Sequence, residues 1–460
     1  AYSVEEYPAA LLRASVIFNM LDIKLIREFP EKIKEALKKR NMVFDVDYLL
    51  EVDIRRRGKI KEVEDMRSNH KQMSEKVLSL RGDEKTAAIE ESKLFKTRIG
   101  DAEFEMKALG EEFISLMYKI PNIPQAHVPV GKDESGNVVL RHAGEKPAFG
   151  FKPRDYIELG EKLDLIDTDR AAKVSGSRFG YLKHEAPLLE FALVRFAMDT
   201  AGSKEIIGKI IEERKLEISA KPFIPVVPPV LIKPEAMKAM VYLERGEDEI
   251  YHLEKYNLYL VGTSEQSVGP MHMNEIFDEE KLPHRHISFS TCFRREAGSY
   301  GKDTAGILRV HQFDKAEMFV FATPETSSQE HALLLGIEEY LMQSLEIPYR
   351  VLDICTGDLG DSAAAKYDLE AWLPGQKGGI GEYRETHSTS NTTDFQSRRL
   401  NIKMKRKNGT NEFLHMLNGT AFAIGRTLIA ILENYQQEDG TLHVPEVLQS
   451  YLGGMKEIRR

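Results

Sequence analysis

Two runs of apolar residues at heptad spacing, separated by a short polar break, constrain this chain more than any other feature. Beyond Asp45, residues Leu49, Val52, Val63, Met66, Met73, Val77 and Leu80 recur at steps of three and four, and Arg56, Lys59 and His70 fill the remaining seam positions. After Arg81-Gly-Asp-Glu-Lys85 the pattern resumes at Phe95, Ile99, Ala102, Met106, Leu109, Phe113, Leu116 and Ile120. Two such runs of similar length predict an antiparallel helical hairpin, a coiled coil, over Asp45–Ile120. At 1.5 Å per residue, arms of about 35 residues are on the order of 50 Å long. Too long to wrap a globular core, the pair is expected to project into solvent. A dimerising or spacer coiled coil would share this periodicity. The charges favour another use: Arg55, Arg56, Arg57, Lys59 and Lys61 lie in one arm and Lys93, Lys96 and Arg98 in the other. A basic rod suits a phosphate backbone.

Most of the 460 residues lie outside the hairpin, and a chain of this length is expected to form two domains. With 42% hydrophobic and 30% charged residues it reads as soluble and globular. No apolar stretch approaches the ~20 residues that span a bilayer; the best, Phe223–Ile232, is short and broken by prolines. The two cysteines, Cys292 and Cys355, end strand-like segments. They read as ordinary thiols in a reducing compartment, which implies a cytoplasmic location. The formal charge of −9 speaks against a nucleic-acid binder taken whole, yet a basic stripe on one module can coexist with an acidic body. Residues 1–19 carry two glutamates and one arginine, unlike an arginine-rich transit peptide. They are expected to be a processed leader or a cloning remnant, with Met20 as the natural start.

Before the hairpin, Asp22–Arg40 reads as one helix ending near Asn41. After it, residues 121–148 are rich in Pro, Gly and Asp and read as a linker. From 149 to 460 apolar strands alternate with helical stretches. Tyr256–Gly262, His286–Phe293, Ile307–Phe321 and Tyr349–Asp353 read as strands, and Ala186–Thr200, Glu325–Leu345 and Ala421–Tyr435 as helices. This predicts an α+β domain with a mainly antiparallel sheet flanked by helices. There is no GxxxxGK[ST] loop and no GxGxxG after a strand, so an ATP site here would be built differently from a P-loop or a dinucleotide fold.

Four segments carry candidate chemistry. In His286-Ile-Ser-Phe-Ser-Thr-Cys-Phe-Arg294-Arg-Glu296, Arg294 and Glu296 share one face of a strand. Across the polar loop Ser299–Gly306, Phe313, Lys315 and Glu317 share a face of the next strand. Charges among apolar neighbours are costly unless something binds them. A salt-bridge ladder is one answer. The other is a phosphate and carboxylate clamped by Arg294, an adenine edge met near Glu296, and a flat ring stacked on Phe313. In Gly381-Glu-Tyr-Arg-Glu385-Thr-His-Ser388-Thr-Ser-Asn391, a carboxylate with a hydroxyl three residues on could hold a hard cation, although such a Ser/Thr/Asn run alone reads as a loop. Leu417-Asn-Gly-Thr420-Ala-Phe-Ala-Ile-Gly425-Arg426-Thr-Leu reads as a Gly-opened helix, and Arg426, among apolar and small residues, implies an anionic partner. Leu260-Val-Gly-Thr263-Ser-Glu265 ends a strand with two polar residues on one face, a wall for a small polar ligand. The thirteen histidines show no metal-ligand spacing.

Together these segments resemble seryl-tRNA synthetases over nearly all of residues 20–454. Phe293-Arg294-Arg-Glu296-Ala-Gly-Ser with His311-Gln-Phe313 is similar to class II motif 2, and Asn418-Gly-Thr-Ala-Phe-Ala-Ile-Gly425-Arg426-Thr to motif 3. Pro225-Val-Val-Pro-Pro229, after the helix Ala186–Thr200, is similar to motif 1, the dimer-interface motif. Cys355-Thr-Gly-Asp-Leu-Gly and Asn434-Tyr-Gln-Gln-Glu-Asp-Gly are further matches, and the hairpin coincides with the family's tRNA-binding arm. The resemblance implies a homodimeric enzyme that activates L-serine with ATP and transfers it to the 3′ end of tRNA(Ser), with tRNA(Sec) a further candidate. It implies an N-terminal tRNA-binding domain over 20–120, a catalytic domain over 149–460, and no membrane.

By the same resemblance, Arg294 bridges the α-phosphate and the serine carboxylate, Glu296 receives the adenine amino group, Phe313 stacks on the ring and Val310 touches the nucleotide through its backbone. Arg426 sits against the far phosphates, and Arg295, Thr386 and His387 complete the ATP-binding set. Glu385 and Ser388 hold Mg²⁺. Thr263, Ser264, Glu265, Glu317 and Thr420 receive serine, with Arg294, Glu317 and Arg426 as the catalytic residues. A site that hydrogen-bonds a hydroxyl rejects the analogue lacking it by roughly 10⁴–10⁵, which excludes alanine. Thr386-His387 departs from the aliphatic and small residues of many relatives, and Thr420 stands where serine is also common; both leave the implicated groups in place. Two other readings remain open from sequence: a synthetase-like ligase loading another carrier, expected to have a shortened arm, and a non-catalytic tRNA-binding or structural paralogue, expected to have lost Arg294, Glu385 or Arg426.

Overall fold

The computed structural model describes residues 21–243, 247–297, 303 and 305–460. The reading of residues 1–19 as a leader or remnant and of Met20 as the start therefore lies outside the described residues. The chain divides into two compact units, one up to Pro121 and one from Asn122 onward.

In the first unit the expected single helix is two, α1 (Ile23–Glu28) and α2 (Pro30–Lys39). The break falls at Pro30, which has no N–H to continue a helix and instead occupies the first position of the next one. The long helices α3 (Val46–Val77) and α4 (Gly82–Tyr118) form the antiparallel pair. Asp45 caps α3 by accepting from the Tyr48 N–H at 2.9 Å. The turn is tighter and earlier than the polar run Arg81–Lys85, because α4 already begins at Gly82.

Every predicted seam residue is buried or half-buried, and the polar ones have partners. Lys59 bridges Glu62 at 2.8 Å and Glu105 at 2.7 Å. His70 stacks on Phe95, with Ser92 Oγ 3.1 Å from its Nε2. The Arg56 guanidinium lies 4.4 Å from the Phe113 ring centroid. The fully buried Asp53, which no periodicity marks, accepts two 2.8 Å bonds from Arg27 and one of 3.0 Å from Arg57. Burial raises its pKa, and the arginines more than reverse that.

The second unit is built on an eight-stranded sheet. In chain order its strands are β1 (Val138–Ala143), β2 (Ile224–Val226), β3 (His284–Phe293), β4 (Gln312–Ala322), β5 (Tyr349–Asp353), β6 (Ala365–Leu373), β7 (Glu382–Asn391) and β8 (His415–Ala423). They lie side by side as β1-β5-β6-β7-β8-β4-β3-β2, antiparallel throughout except for the β2–β3 pair. Helices α5 (Glu185–Gly202), α6 (Ser327–Ser344) and α7 (Ile424–Asn434) pack on one face. Alternation decides which side chains meet them: Ala316 and Met318 of β4, with Leu369 of β6 and Leu417 of β8, enter the core with Leu193, Leu334 and Leu428 of the helices. Phe313, Lys315 and Glu317 consequently point to the other, open face.

Several boundaries differ from the sequence expectation, each for a local reason. Residues 307–311 do not join β4, because the opposing β3 ends at Phe293, which pairs with Gln312. Ala421–Ala423 belong to β8 rather than to a helix, since Lys315 and Ala316 pair with Ala423 and Phe422 in the ladder. The Ser/Thr/Asn run is strand β7, not a loop. The segment before Thr263 is strand only over Leu258–Leu260. The expected linker supplies the edge strand β1, and Asn122 is pinned by bonds of 2.9 and 2.8 Å from its amide to the carbonyls of Ser362 and Thr392. An ion pair between Arg285 and Glu330, both fully buried, joins β3 to α6 through bonds of 2.8 and 2.7 Å. The remaining arginine donors meet the carbonyls of Ser219 and Lys221.

Candidate active site

The open face of the sheet carries two adjoining cavities. The first is lined by Arg294, Glu296, Val310, Phe313, Thr386 and Arg426, among others. The second is lined by Thr263, Glu265, Glu317 and Ser388, together with Tyr242 and Lys366. Arg294, Lys315, Glu385 and Thr420 belong to both walls.

Arg294 follows the last residue of β3. Its Nε donates to the Gly262 carbonyl at 3.2 Å, and its guanidinium lies 5.3 Å from the Phe313 ring centroid. Glu296 does not continue the strand face as expected. The chain has left the ladder, its φ of 52° is left-handed, and its carboxylate meets Arg309 at 2.8 Å. At the start of α7, Arg426 donates to the Glu385 carbonyl at 2.9 Å and lies 3.3 Å from its carboxylate. Four cationic side chains, Arg294, Arg309, Lys315 and Arg426, thus line one cleft, which suits a polyanion.

In the second cavity, Glu317 receives the Thr263 hydroxyl, a 3.0 Å ion pair from Lys315, and a 3.3 Å bond from Ser264. Glu265 accepts 3.0 Å from the Tyr242 hydroxyl and 2.8 Å from Gln396. Burial, and next the Glu317 charge, push the Glu265 carboxyl up to about 7. Carboxylates beside hydroxyls make a pocket suited to an ammonium group and a hydroxyl.

Glu385 and Ser388 are three residues apart, so a regular strand would turn them to opposite faces. Between Leu369 and Glu370 the β6–β7 register shifts: Glu385 pairs with Glu370, His387 with Leu369 and Ser388 with Asp368. Thr386 is the surplus residue, and the bulge restores both side chains to the open face. Desolvation by the crowded cleft pushes the carboxyl of the partly exposed Glu385 up, but Arg426, Lys366 and Arg294 outweigh it and hold it at about 2. Asp368 is pushed up to about 6, first by burial, with Lys366 opposing and Glu385 assisting, while Ser388 hydrogen-bonds to it. Among the described residues no group of three or more His, Cys, Asp or Glu could hold an ion alone. An ionised carboxylate, a hydroxyl and a neighbouring acid do fit Mg²⁺, which takes one or two carboxylates and completes its shell with substrate phosphates and water.

Three of the expected site residues are not on the cavity walls. Arg295 is exposed, with its backbone N–H bonded to the Glu249 carbonyl. Ser264 is buried behind Glu317, 2.7 Å from Ser288. His387 faces the helices, buried against Phe422, with its Nδ1 2.8 Å from Thr386 Oγ1. Conversely Lys366, Asp368 and Tyr242 lie outside the set expected from sequence, and Lys315 has no role in it. Lys366-Tyr-Asp368-Leu-Glu370 carries the same alternation of charges along a strand that singled out Phe313, Lys315 and Glu317; the signal was available.

Comparison with known proteins places the chain in a family. Residues 20–124 match the seryl-tRNA synthetase N-terminal domain, and residues 250–435 the class II tRNA synthetase core domain (G, H, P, S and T). Serine–tRNA ligase of Dictyoglomus turgidum is 45% identical over 444 residues, covering 96% of this chain and 99% of the relative. Among solved structures, seryl-tRNA synthetase of Pyrococcus horikoshii complexed with ATP superposes with a TM-score of 0.82 at 40% identity, covering 95% of this chain and 99% of that one. The cytoplasmic serine–tRNA ligase of Naegleria fowleri in complex with AMP gives 0.80 at 35%, covering 95% and 98%. With both the arm and the catalytic core matched, and nearly full-length identity well above what fold alone would give, the chain belongs to the seryl-tRNA synthetase family.

Proposed function

We propose that this protein is a serine–tRNA ligase that activates L-serine with ATP and transfers the seryl group to the 3′ end of tRNA(Ser), with tRNA(Sec) as a further acceptor. The observation that carries the reading is the sharing of Arg294, Lys315, Glu385 and Thr420 between a cationic cleft and a carboxylate- and hydroxyl-lined pocket. ATP enters the first and serine the second, so the serine carboxylate meets the α-phosphate at Arg294. In-line attack forms the adenylate and releases diphosphate; positioning and charge stabilisation supply the catalysis. Phe313 stacks on adenine, Glu296 and the Val310 backbone read its edge, and Arg426 holds the far phosphates. Glu385 and Ser388 hold Mg²⁺, which neutralises phosphate charge when bound. Glu265 and Glu317 receive the serine ammonium and hydroxyl, with Thr263 and Thr420 beside them. Residues 20–120 form the tRNA-binding domain, whose hairpin grips the tRNA backbone, and 149–460 the catalytic domain. A ligase for another carrier and a non-catalytic paralogue find no support, since both arms are long and Arg294, Glu385 and Arg426 are all present.

Amino-acid-dependent pyrophosphate exchange across the twenty amino acids tests this directly. Exchange is expected with serine alone, followed by charging of serine-accepting tRNA; exchange dependent on another amino acid would refute it.

The enzyme acts as a cytoplasmic homodimer through motif 1. Support comes from the exposed apolar side chains of that region: Leu188 and Phe191 on α5, 50% and 61% exposed, and Ile224 and Val227, at 48% and 77%. Light scattering is expected to give twice the chain mass, and a concentration-independent monomer would contradict the dimer. No helix among the described residues is long and apolar enough to cross a membrane.

A further inference from the structure

Asp314 lies between Phe313 and Lys315 on β4, so alternation turns it to the helix-covered face, into the core that Ala316 and Met318 enter. A carboxylate there needs a donor. The one it meets is Glu190 on α5, which is 8% exposed and hydrogen-bonds to it. Asp314 Oδ1 is buried, and no N–H or hydroxyl donor among the described residues reaches it. Both carboxyls line a cavity whose other walls include Phe179, Leu182 and Phe191, and which shares Val310 and Phe313 with the nucleotide cleft. Two carboxyls in contact with no cation hold together only if they share a proton.

We propose that Glu190 is a positioning residue for the nucleotide: its carboxyl, donating to Asp314 across the helix–sheet interface, fixes the strand segment that carries Phe313 and Lys315. The inference rests on the assignment of the Phe313 cleft to ATP. The tie acts on nucleotide binding because the peptide groups on either side of Asp314 orient Phe313, under the base, and Lys315, which holds Glu317 at 3.0 Å. Burial, with the Asp314 charge assisting, pushes Glu190 up to about 8. It is protonated at neutral pH, and the bond is lost as pH rises through that value.

Asp314 is the charged group that acts on Glu190 from the elements around it. Along α5, Glu185 pairs with Arg460 and Arg195 with Asp199. Arg170, on the helix Thr168–Ser175 whose Ala171 and Ser175 line the same cavity, pairs with Asp167. Arg426 on α7 is engaged with Glu385 on the far face. Tyr181 also lines the cavity.

The test compares Glu190→Gln, whose amide still donates to Asp314, with Glu190→Leu, which cannot. ATP binding is read by titration calorimetry with Mg²⁺, and KM for ATP and for serine by pyrophosphate exchange. Glu190→Leu is expected to weaken ATP binding and raise its KM roughly tenfold, the effect of losing a hydrogen bond to a charged group, with a smaller change for serine. Glu190→Gln is expected to stay within about threefold of wild type. Wild-type ATP affinity, measured as a ratio to Glu190→Gln, is expected to fall from about pH 7 to about pH 9, because the amide has no proton to lose. The proposal is overturned by unchanged ATP binding in a folded Glu190→Leu, by Gln and Leu variants equally impaired, or by a flat pH ratio. If Glu190→Leu does not fold, the pH ratio decides. A wild-type protein that binds ATP but shows no serine-dependent exchange would defeat the serine reading and leave this one standing.

Discussion

Replacing Arg294 by alanine is expected to lower serine-dependent pyrophosphate exchange by a factor on the order of 10²–10³, the usual cost of removing one preorganised donor to transition-state charge. Arg294 lines both cavities, and its Nε bond to the Gly262 carbonyl fixes the guanidinium at their junction. No neighbour can take over: Lys315 is committed to Glu317, Arg426 to Glu385 and Arg309 to Glu296. Arg294→Lys should be nearly as poor, because a point charge cannot present a planar fork to two oxyanions. Since the side chain is exposed in the cleft, the variant is expected to melt with wild type. More than a tenth of wild-type exchange in the alanine variant would defeat the assignment.

The second large effect separates two steps of one reaction. Shortening the arm by replacing residues 64–98 with a Gly/Ser turn should leave serine activation within about threefold of wild type, while tRNA charging falls roughly 10²-fold or more with the loss of backbone contacts. The cut keeps the buried layers at the base of the hairpin, Leu49, Val52, Val63, Ile99, Ala102, Phe113 and Met117, and removes the distal part, where no seam residue is fully buried. Charge neutralisation gives a milder version. Arg56 and Lys59 are poor choices, since one is buried beside Asp53 and the other is held by Glu62 and Glu105. Arg55, Lys61 and Lys96 are exposed. Changing them together should raise KM for tRNA, with a loss that shrinks at high salt. Equal loss of both half-reactions in a folded protein would make the arm a structural or catalytic element.

The seam of the hairpin was readable residue by residue because one short period repeats through two long elements, and even its charged members fell where periodicity put them. Asp53 has a local partner in Arg57, four residues on, but its burial depends on Arg27, which comes from a separate helix, and nothing local links those two. In the catalytic unit, alternation found Phe313, Lys315 and Glu317, which pair with β3 in an unbroken ladder. It failed for Glu296, where a left-handed residue ends the alternation, and for Ala421–Ala423, where pairing with a distant strand overrides local helical pattern. Arg295, Ser264 and His387 adjoin site residues in sequence, and side-chain direction, which sequence does not carry there, separates them. The Glu190–Asp314 contact joins residues 124 positions apart and leaves no periodic trace.

The bulge at Thr386 means that this site depends on chain length as well as on residue identity. Changing Thr386 or His387 leaves the count intact, which is why an unusual pair can occupy those positions. Deleting His387, which faces the helices, would preserve every side chain on the two cavity walls, and would let β7 run flush against β6. Glu385 and Ser388 would then be two residues apart, on the same face but drawn together, with the local twist removed. Such a variant would pass any inspection of its motifs and still bring the wrong spacing to the phosphates. Single-residue deletions and insertions in β7, rather than substitutions, are therefore where tolerance to change should drop most sharply in a library of this protein.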